Sequence, residues 1–343
     1  MKFHYFHIVL FFIFAFAEKG LSQGCSDPGI CTIGGLNSQT TKDTVSGIDY
    51  LEADLEALLA ASITREKYRF EVTGIIAKGE RDTQIFGVAL RAVFRMKKKM
   101  LLNLKVPILY TSGTLGSNSG LGDITLSLEN TLYSGKNKRL TATIGIVAPT
   151  GNANKSDGGV VLPMAYQTTL GSFNALVGFS ASYKKWGAAL GYQQSFGENG
   201  NMFDPDDYLP ETPLPGSQNP IVPDEMDEYR RGFAASYRLK RGNDIILRLE
   251  RRFDFGKKFG MNIGVLPIYR LTKSKVTLFE TEQSTVIGTD GLTLNITAGL
   301  RYLPTKNWLF RMNFGAPVVS RSVRADGLTR KYVGIISVAY KLW

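Results

Sequence analysis

Histidine and cysteine are the scarcest reactive residues in this chain of 343 residues, which contains two of each. Both histidines, His4 and His7, lie in a segment interpreted below as a removable signal peptide, so the mature chain would contain none. A chain without histidine has no histidine metal ligand and no Ser-His or Cys-His nucleophile. Two cysteines are too few for a four-cysteine zinc or iron–sulfur site. The composition therefore predicts a protein that is not an enzyme and has no cofactor.

Long apolar runs are missing apart from one at the N-terminus. Lys2 precedes ten apolar residues, Ile8 to Ala17, which suit a signal-peptide core and are too few to span a bilayer as a helix. Gly20-Leu21-Ser22 supplies small residues for cleavage before Gln23, and a second candidate cut directly follows the apolar run. We therefore interpret residues 1–22 as a signal peptide and expect export of the mature chain.

Residues 23–66 form a separate N-terminal segment. Export implies an oxidising compartment, which favours a Cys25–Cys31 disulfide, while the alternative is a lipoprotein acylated on Cys25. Leucines at helical spacing from Ile48 to Ala61 predict a short amphipathic helix. Two roles remain open for this periplasmic segment, either packing at a barrel entrance or forming part of a plug in the lumen.

From about residue 67 onward the apolar pattern has a period of two. In Leu292 to Arg301, for example, apolar residues alternate with threonine, asparagine, glycine and arginine. Alternation over about ten residues, repeated to the C-terminus, is typical of transmembrane strands with a lipid face and a lumen face. Aromatic residues near strand ends fit interfacial girdles: Tyr68, Tyr110, Tyr183, Trp186, Tyr192, Tyr229, Tyr237, Tyr302 and Trp308. The fold predicted for residues 67–343 is an all-β, antiparallel transmembrane barrel.

The alternation predicts about fourteen strands, at 67–77, 83–95, 99–110, 121–132, 138–149, 168–184, 186–196, 228–240, 243–254, 259–271, 275–285, 290–302, 306–318 and 331–343. The strand at 275–285 has the weakest pattern, and without it one other boundary must be wrong and the count falls to twelve. Short periplasmic turns are expected at 97–98, 134–137, 185, 241–242, 272–274 and 304–305. Long outer loops are expected at 111–120, 150–167, 197–227 and 319–330.

The predicted inner face is rich in arginine. Its candidate lumen-lining residues are Arg69, Arg91, Arg95, Lys105, Glu129, Arg230, Arg238, Arg248, Glu250, Arg252, Arg301 and Arg311, with Glu71 and Asp254 beside them. Two interpretations remain open, either ion pairs that brace the wall or an excess of positive charge that attracts anionic solutes. The formal charge is +11 for the whole chain and +10 without Lys2, Glu18 and Lys19.

Two other binding functions are not predicted. Nucleic-acid binding is not expected, because the basic residues follow an inner wall and form no basic patch with stacking aromatics. The outer loop 197–227 is acidic, but its spacing matches no EF-hand calcium loop, so a solvated loop is expected and no metal site.

Three glycine-containing motifs occur in order along the barrel segment. Gly120-Leu121-Gly122-Asp123 opens one strand, Ala148-Pro149-Thr150-Gly151 closes the next, and Tyr166-Gln167 with Gly171-Ser172-Phe173 opens the third. This order, over residues 80–343, resembles the outer-membrane transporters named for the MetA pathway of phenol degradation, which are FadL-like in style. The resemblance implies a channel for apolar or aromatic compounds. Cys25 to Thr32 is similar to the mature N-termini of proteins from Bacteroidetes-type bacteria.

The C-terminus is similar to the assembly signal of such barrels, because an aromatic residue, Trp343, follows a strand. Lys341 departs from that pattern, and Ile336, Val338, Tyr340 and Leu342 supply the apolar face. The partners implied are the outer-membrane assembly machinery, membrane lipid with lipopolysaccharide, and a small-molecule solute. The sequence leaves the oligomeric state open.

The sequence thus predicts an outer-membrane channel or transporter for small molecules. The resemblance implies an apolar or aromatic solute, whereas the basic lumen favours an anionic one, and the sequence does not decide between them. The alternative is a structural or surface-binding barrel with no transport role. A barrel enzyme is less favoured, because no spacing indicates a Ser-Lys or paired-carboxylate site.

Overall fold

The computed structural model describes residues 67–135, 137–208, 225–256, 258–278, 282–327 and 330–342. The signal peptide, Cys25, Cys31, the helix predicted from Ile48 to Ala61 and the terminal Trp343 lie outside the described residues. The interpretations attached to those residues therefore remain predictions.

The described residues form seventeen strands and one short α-helix, α1 (Glu225–Arg231). The strands are β1 (Tyr68–Gly79), β2 (Gln84–Lys97), β3 (Met100–Gly113), β4 (Gly116–Leu121), β5 (Ile124–Gly135), β6 (Lys138–Ala148), β7 (Ser156–Asp157), β8 (Val160–Val161), β9 (Phe173–Tyr183), β10 (Trp186–Phe196), β11 (Asp244–Phe255), β12 (Phe259–Arg270), β13 (Lys275–Leu278), β14 (Glu282–Thr285), β15 (Gly291–Tyr302), β16 (Trp308–Val319) and β17 (Arg330–Leu342). Within the described residues, no helix is long and apolar enough to cross a bilayer.

Twelve of these strands close into an antiparallel barrel. Around the barrel the order is β1, β2, β3, β5, β6, β9, β10, β11, β12, β15, β16 and β17. The first and last strands pair along their length, with Tyr68 opposite Leu342 and Thr73 opposite Ser337, so the barrel has no open edge. Strand β4 pairs with β3 and extends the barrel sheet. The hairpins β7–β8 and β13–β14 are separate two-stranded sheets that do not belong to the barrel sheet.

The predicted all-β barrel is confirmed, with the lower of the two strand counts. The segment 228–240 is not a strand, because α1 occupies its start. The acidic residues in the first turn of α1 and the arginines in its last turn interact favourably with the helix dipole. The segment 275–285 folds as the small hairpin β13–β14. The residues 241–242 and 272–274 therefore lie at the same end as the long loops, and the prediction that they are turns at the short-turn end was wrong.

The two ends of the barrel differ in their connections. Adjacent strands at one end are joined by brief turns, such as Lys98-Lys99 between β2 and β3. At the other end β6 and β9, β10 and β11, and β12 and β15 are joined by long segments. We call these the short-turn end and the loop end.

The outer surface of the barrel is apolar. Large exposed side chains alternate along every barrel strand; examples are Val72, Leu90, Ile144, Phe179, Leu190, Ile263, Leu300 and Ile336. Aromatic rings cluster at the short-turn end, where Phe259 stacks on Tyr302 at 4.5 Å and Trp308 lies 4.9 Å from Tyr340. A continuous apolar band with aromatics at its border is the surface that a bilayer stabilises.

Buried polar and charged side chains lie on the inner face along its whole length, for example Glu71 near the short-turn end and Asp244 and Arg270 near the loop end. Two apolar patches lie among them. One patch joins Ala77, Ile85 and Val333 from β1, β2 and β17. The other consists of Val147, Leu176, Ala189, Ile246, Leu266 and Ile268.

Candidate functional site

The barrel strands place ten of the twelve candidate lining residues on the inner face. Inward side chains are those on the buried side of each alternating strand: Arg69, Arg91, Arg95, Lys105, Glu129, Arg248, Glu250, Arg252, Arg301 and Arg311. Arg230 and Arg238 are not on barrel strands. Arg230 lies in α1 beside Asp227, and Arg238 lies in the loop before β11, 2.9 Å from Glu198.

Glu71 is the centre of one group of buried charges. Its Oε2 lies 2.5 Å from Nη2 of Arg311, although β16 and β1 are separated by β17. Nη1 of Arg91, on β2, is 3.9 Å from the same oxygen. All three side chains are buried, so each charge depends on the others for compensation. The group therefore links β16, β1 and β2 from the inside and reaches across the intervening β17.

A relay through Asn103 continues this group along the wall. Nη2 of Arg91 donates to Oδ1 of Asn103 at 2.8 Å, and Nδ2 of Asn103 donates to Oε1 of Glu129 at 3.0 Å. The relay joins β2, β3 and β5. Sequence reasoning missed Asn103, although its position in the alternation placed it on the inner face.

The facing wall carries its own ion pairs. Arg248 lies 3.2 Å from Glu250, and Nδ2 of Asn262 donates to the same carboxylate at 3.3 Å. Asp254 of this wall lies 3.1 Å from Arg301, which belongs to β15. These contacts favour the bracing interpretation for the residues involved, because buried charges require partners.

Nine consecutive buried residues, Leu162 to Leu170, lie at the loop end, and we call them the mouth segment. Connecting loops normally lie on the surface, so a fully buried loop must be covered by other parts of the chain. A Cβ on Gly327, between β16 and β17, would meet the Met164 backbone at 2.3 Å. Nδ2 of Asn201, which follows β10, donates to the Leu162 carbonyl at 3.2 Å. The mouth segment thus lies across the loop end.

Tyr166 is the central anchor of the mouth segment. Its ring is wholly buried and packs edge-on against Phe233 at 5.9 Å, and its hydroxyl accepts from the Leu115 N–H at 3.2 Å. Its carbonyl accepts from the Thr111 hydroxyl at 2.5 Å and from Asn118 at 3.0 Å. Burial raises the pKa of Tyr166 to about 12, so the phenol stays neutral.

The three motifs that carry the sequence resemblance meet at the mouth. The Asp123 carboxylate accepts from the Leu170 N–H at 2.8 Å and from the Thr169 hydroxyl. The Thr150 hydroxyl donates to the Gly122 carbonyl at 2.8 Å. A Cβ on Gly151 would lie 2.2 Å from the Leu121 carbonyl, so the close approach requires glycine. The motifs therefore hold the mouth segment against the start of β5.

A buried group of charges ties a second loop to the barrel, and we call it the loop latch. Asp326, between β16 and β17, lies 2.7 Å from Arg270 and 3.0 Å from Arg241. Asp244 lies 2.8 Å from Arg270 and 2.7 Å from Arg241. Arg321 completes the group, 3.9 Å from Asp326. All five side chains are buried.

The electrostatics of the loop latch favour its charged state. Burial alone would raise the pKa of Asp326, but Arg270, Arg321 and Arg241 outweigh it and hold that pKa far below its ordinary value. Burial and the neighbouring Arg270 lower the pKa of Arg321 to about 10, which leaves it protonated at neutral pH. Asp326 and Arg321 therefore remain ionised through the physiological range.

The described residues form a charged inner face and contain no metal centre. Among the described residues, no three His, Cys, Asp or Glu side chains lie together as metal ligands require. Guanidinium groups on the inner wall can instead bind carboxylate or phosphate oxygens through paired hydrogen bonds. The chemistry available is thus recognition of charge along a lumen.

Comparison with solved structures identifies the fold. The COG4313 outer membrane channel from Pseudomonas putida F1 is 15% identical, with a TM-score of 0.53 over 81% of this chain and 96% of that chain. The toluene transporter TbuX of Ralstonia pickettii is 12% identical over 82% and 91% of the two chains, with a TM-score of 0.39. The CymD monoaromatic hydrocarbon channel is 10% identical over 91% and 98%, also at 0.39.

No protein-family model and no curated protein sequence matches the chain. At these identities the likeness to the channel from Pseudomonas putida shows the barrel fold and no more. The similarity of Cys25 to Thr32 to Bacteroidetes-type N-termini gains no support from these comparisons.

Proposed function

We propose that this protein is an outer-membrane channel for small molecules. The observation that carries the proposal is the closed barrel of twelve strands, whose exposed face is apolar and whose inner face is charged. A closed barrel satisfies every backbone hydrogen bond without an edge, which is the condition for crossing lipid with strands. Lipid would not solvate a polar inner face, whereas water in the lumen would solvate it.

The proposal includes an orientation. Outer-membrane barrels place short turns in the periplasm and long loops outside the cell. The loop end, with the mouth segment and the loop latch, would then face the exterior, and residues 23–66 would enter β1 from the periplasm. The signal peptide, lipid contacts and recognition of Trp343 by the assembly machinery belong to this proposal.

Liposome swelling tests the transport function. Full-length protein purified from outer membranes and reconstituted into liposomes is expected to permit swelling in at least one of three solute series, namely sugars, aromatic acids and alkanoates. Liposomes that contain heat-denatured protein are the control. A folded, heat-modifiable barrel that passes no member of any series would instead support a structural or surface-binding role.

A further inference from the structure

Positive charge is concentrated on one side of the lumen. Six neighbouring strands, β15, β16, β17, β1, β2 and β3, point seven cationic side chains inward, namely Arg301, Arg311, Lys341, Arg69, Arg91, Arg95 and Lys105. Among the described residues of these strands, a single inward carboxylate, Glu71, accompanies them. We call this surface the cationic wall.

The other six strands carry a balanced set of charges. Inward groups on β5, β6, β9, β10, β11 and β12 include Arg139, Arg248 and Arg252 with Glu129, Glu250 and Asp254. Arg270 and Asp244, in the loop latch, add one charge of each sign. The described inner surface is therefore asymmetric, with its excess positive charge on the cationic wall.

The strand register brings like charges face to face on the cationic wall. Arg69 is directly opposite Lys341, Arg91 is opposite Lys105, and Arg301 is opposite Arg311. Like charges at facing positions destabilise a sheet by up to about 1 kcal/mol for each facing pair. A wall that served only to brace the barrel would carry opposite charges at these positions. Ion pairs do reach members of these pairs, because Arg91 and Arg311 contact Glu71, Arg91 lies 3.9 Å from Glu129, and Arg301 lies 3.1 Å from Asp254. Bracing accounts for those contacts, but it does not account for a register that sets three cationic pairs face to face.

We propose that the cationic wall makes the channel selective for small organic anions that carry carboxylate groups. This inference rests on the proposed channel function and names its solute class. Fixed positive charges in a water-filled passage with low-dielectric walls concentrate anions and exclude cations. The guanidinium groups bind a carboxylate through two parallel hydrogen bonds, and facing cationic pairs suit a solute with more than one carboxylate.

Single-channel recording in planar bilayers under a KCl gradient tests the selectivity. The full-length protein is expected to give a reversal potential with chloride more permeant than potassium, and citrate is expected to reduce the current. Currents without a preference for chloride, or currents that citrate leaves unchanged, overturn this inference while the channel function stands. Absence of any current contradicts the channel function itself, so the two failures are distinguishable.

A charge-removal variant locates the selectivity. R95Q/K105Q removes two charges from the cationic wall at positions that are only partly buried. It is expected to lower the chloride-to-potassium permeability ratio at least about twofold and to weaken citrate block. The control K98Q/K99Q removes two charges from the exposed turn between β2 and β3 and should retain the wild-type ratio. An equal loss in both variants, or in neither, argues against the cationic wall as the selective surface.

Discussion

Replacing Asp123 with alanine is expected to open the barrel at its loop end and to raise the single-channel conductance. The buried carboxylate accepts hydrogen bonds from the Leu170 N–H and the Thr169 hydroxyl, so its removal leaves buried donors of the mouth segment without an acceptor. Loss of a hydrogen bond to a charged group costs about 1.5–3 kcal/mol. A free-energy difference of about 1.4 kcal/mol is a factor of ten in an equilibrium. The state in which the mouth segment has moved away from β5 should therefore become roughly ten to a hundred times more populated.

The measurement compares conductance histograms of D123A and wild type in planar bilayers. Asp157 supplies the control, because its exposed carboxylate accepts from the Ser117 N–H at 2.8 Å in the same group of loops. D157A should conduct like wild type, since an exposed hydrogen bond is readily replaced by water. If D123A folds and its conductance histogram matches that of wild type, the mouth segment does not limit the passage.

Replacing Asp326 with alanine is expected to destabilise the barrel by about 3–5 kcal/mol, because it leaves three buried arginines without this carboxylate. The effect is measured by electrophoresis, as the midpoint temperature at which the fast-migrating band of the folded barrel disappears.

D227A is the matched control. Asp227 pairs with Arg230 at 2.5 Å in a partly exposed position, and such pairs contribute about 0–1 kcal/mol. Equal midpoints for both variants would show that the loop latch does not stabilise the barrel.

The loop latch also predicts an acid dependence. The pKa of Asp326 is held below its value in the unfolded chain, so its stabilising contribution is present above the unfolded pKa and declines as pH falls towards the folded one. The difference in midpoint between wild type and D326A should therefore be full at neutral pH and shrink under acidic conditions.

Strand alternation predicted much of the barrel because lipid and lumen impose opposite polarity on neighbouring residues. The alternation assigns Arg91, Glu250 and Arg311 to the inner side, and the structure places all three on the buried side of their strands. That they line a lumen stays a prediction. It failed at 228–240, where arginines and aromatics also alternate, because α1 and its flanking loop pack at the mouth. The assignments of Arg230 and Arg238 to barrel strands failed with that segment.

The loop latch and the mouth segment were beyond prediction for a different reason. Asp326 and Arg241 are brought together by loops that lie far apart in the sequence, and neither loop has a periodic pattern. The burial of Tyr166 is decided by Phe233 and Leu115, which belong to two other loops. The glycine-containing motifs were visible in the sequence, but their shared role in anchoring the mouth segment required the structure.

Thiol labelling of the open channel tests the central claim, that solutes pass through this lumen, most directly. In a background with Cys25 and Cys31 replaced by serine, S180C places a thiol on the inner face of β9, and F179C places one on the exposed outer face. A charged, water-soluble thiol reagent is expected to reduce the single-channel current of S180C and to leave that of F179C unchanged. A current through S180C that stays constant after complete labelling, confirmed by mass spectrometry, would contradict passage through the barrel.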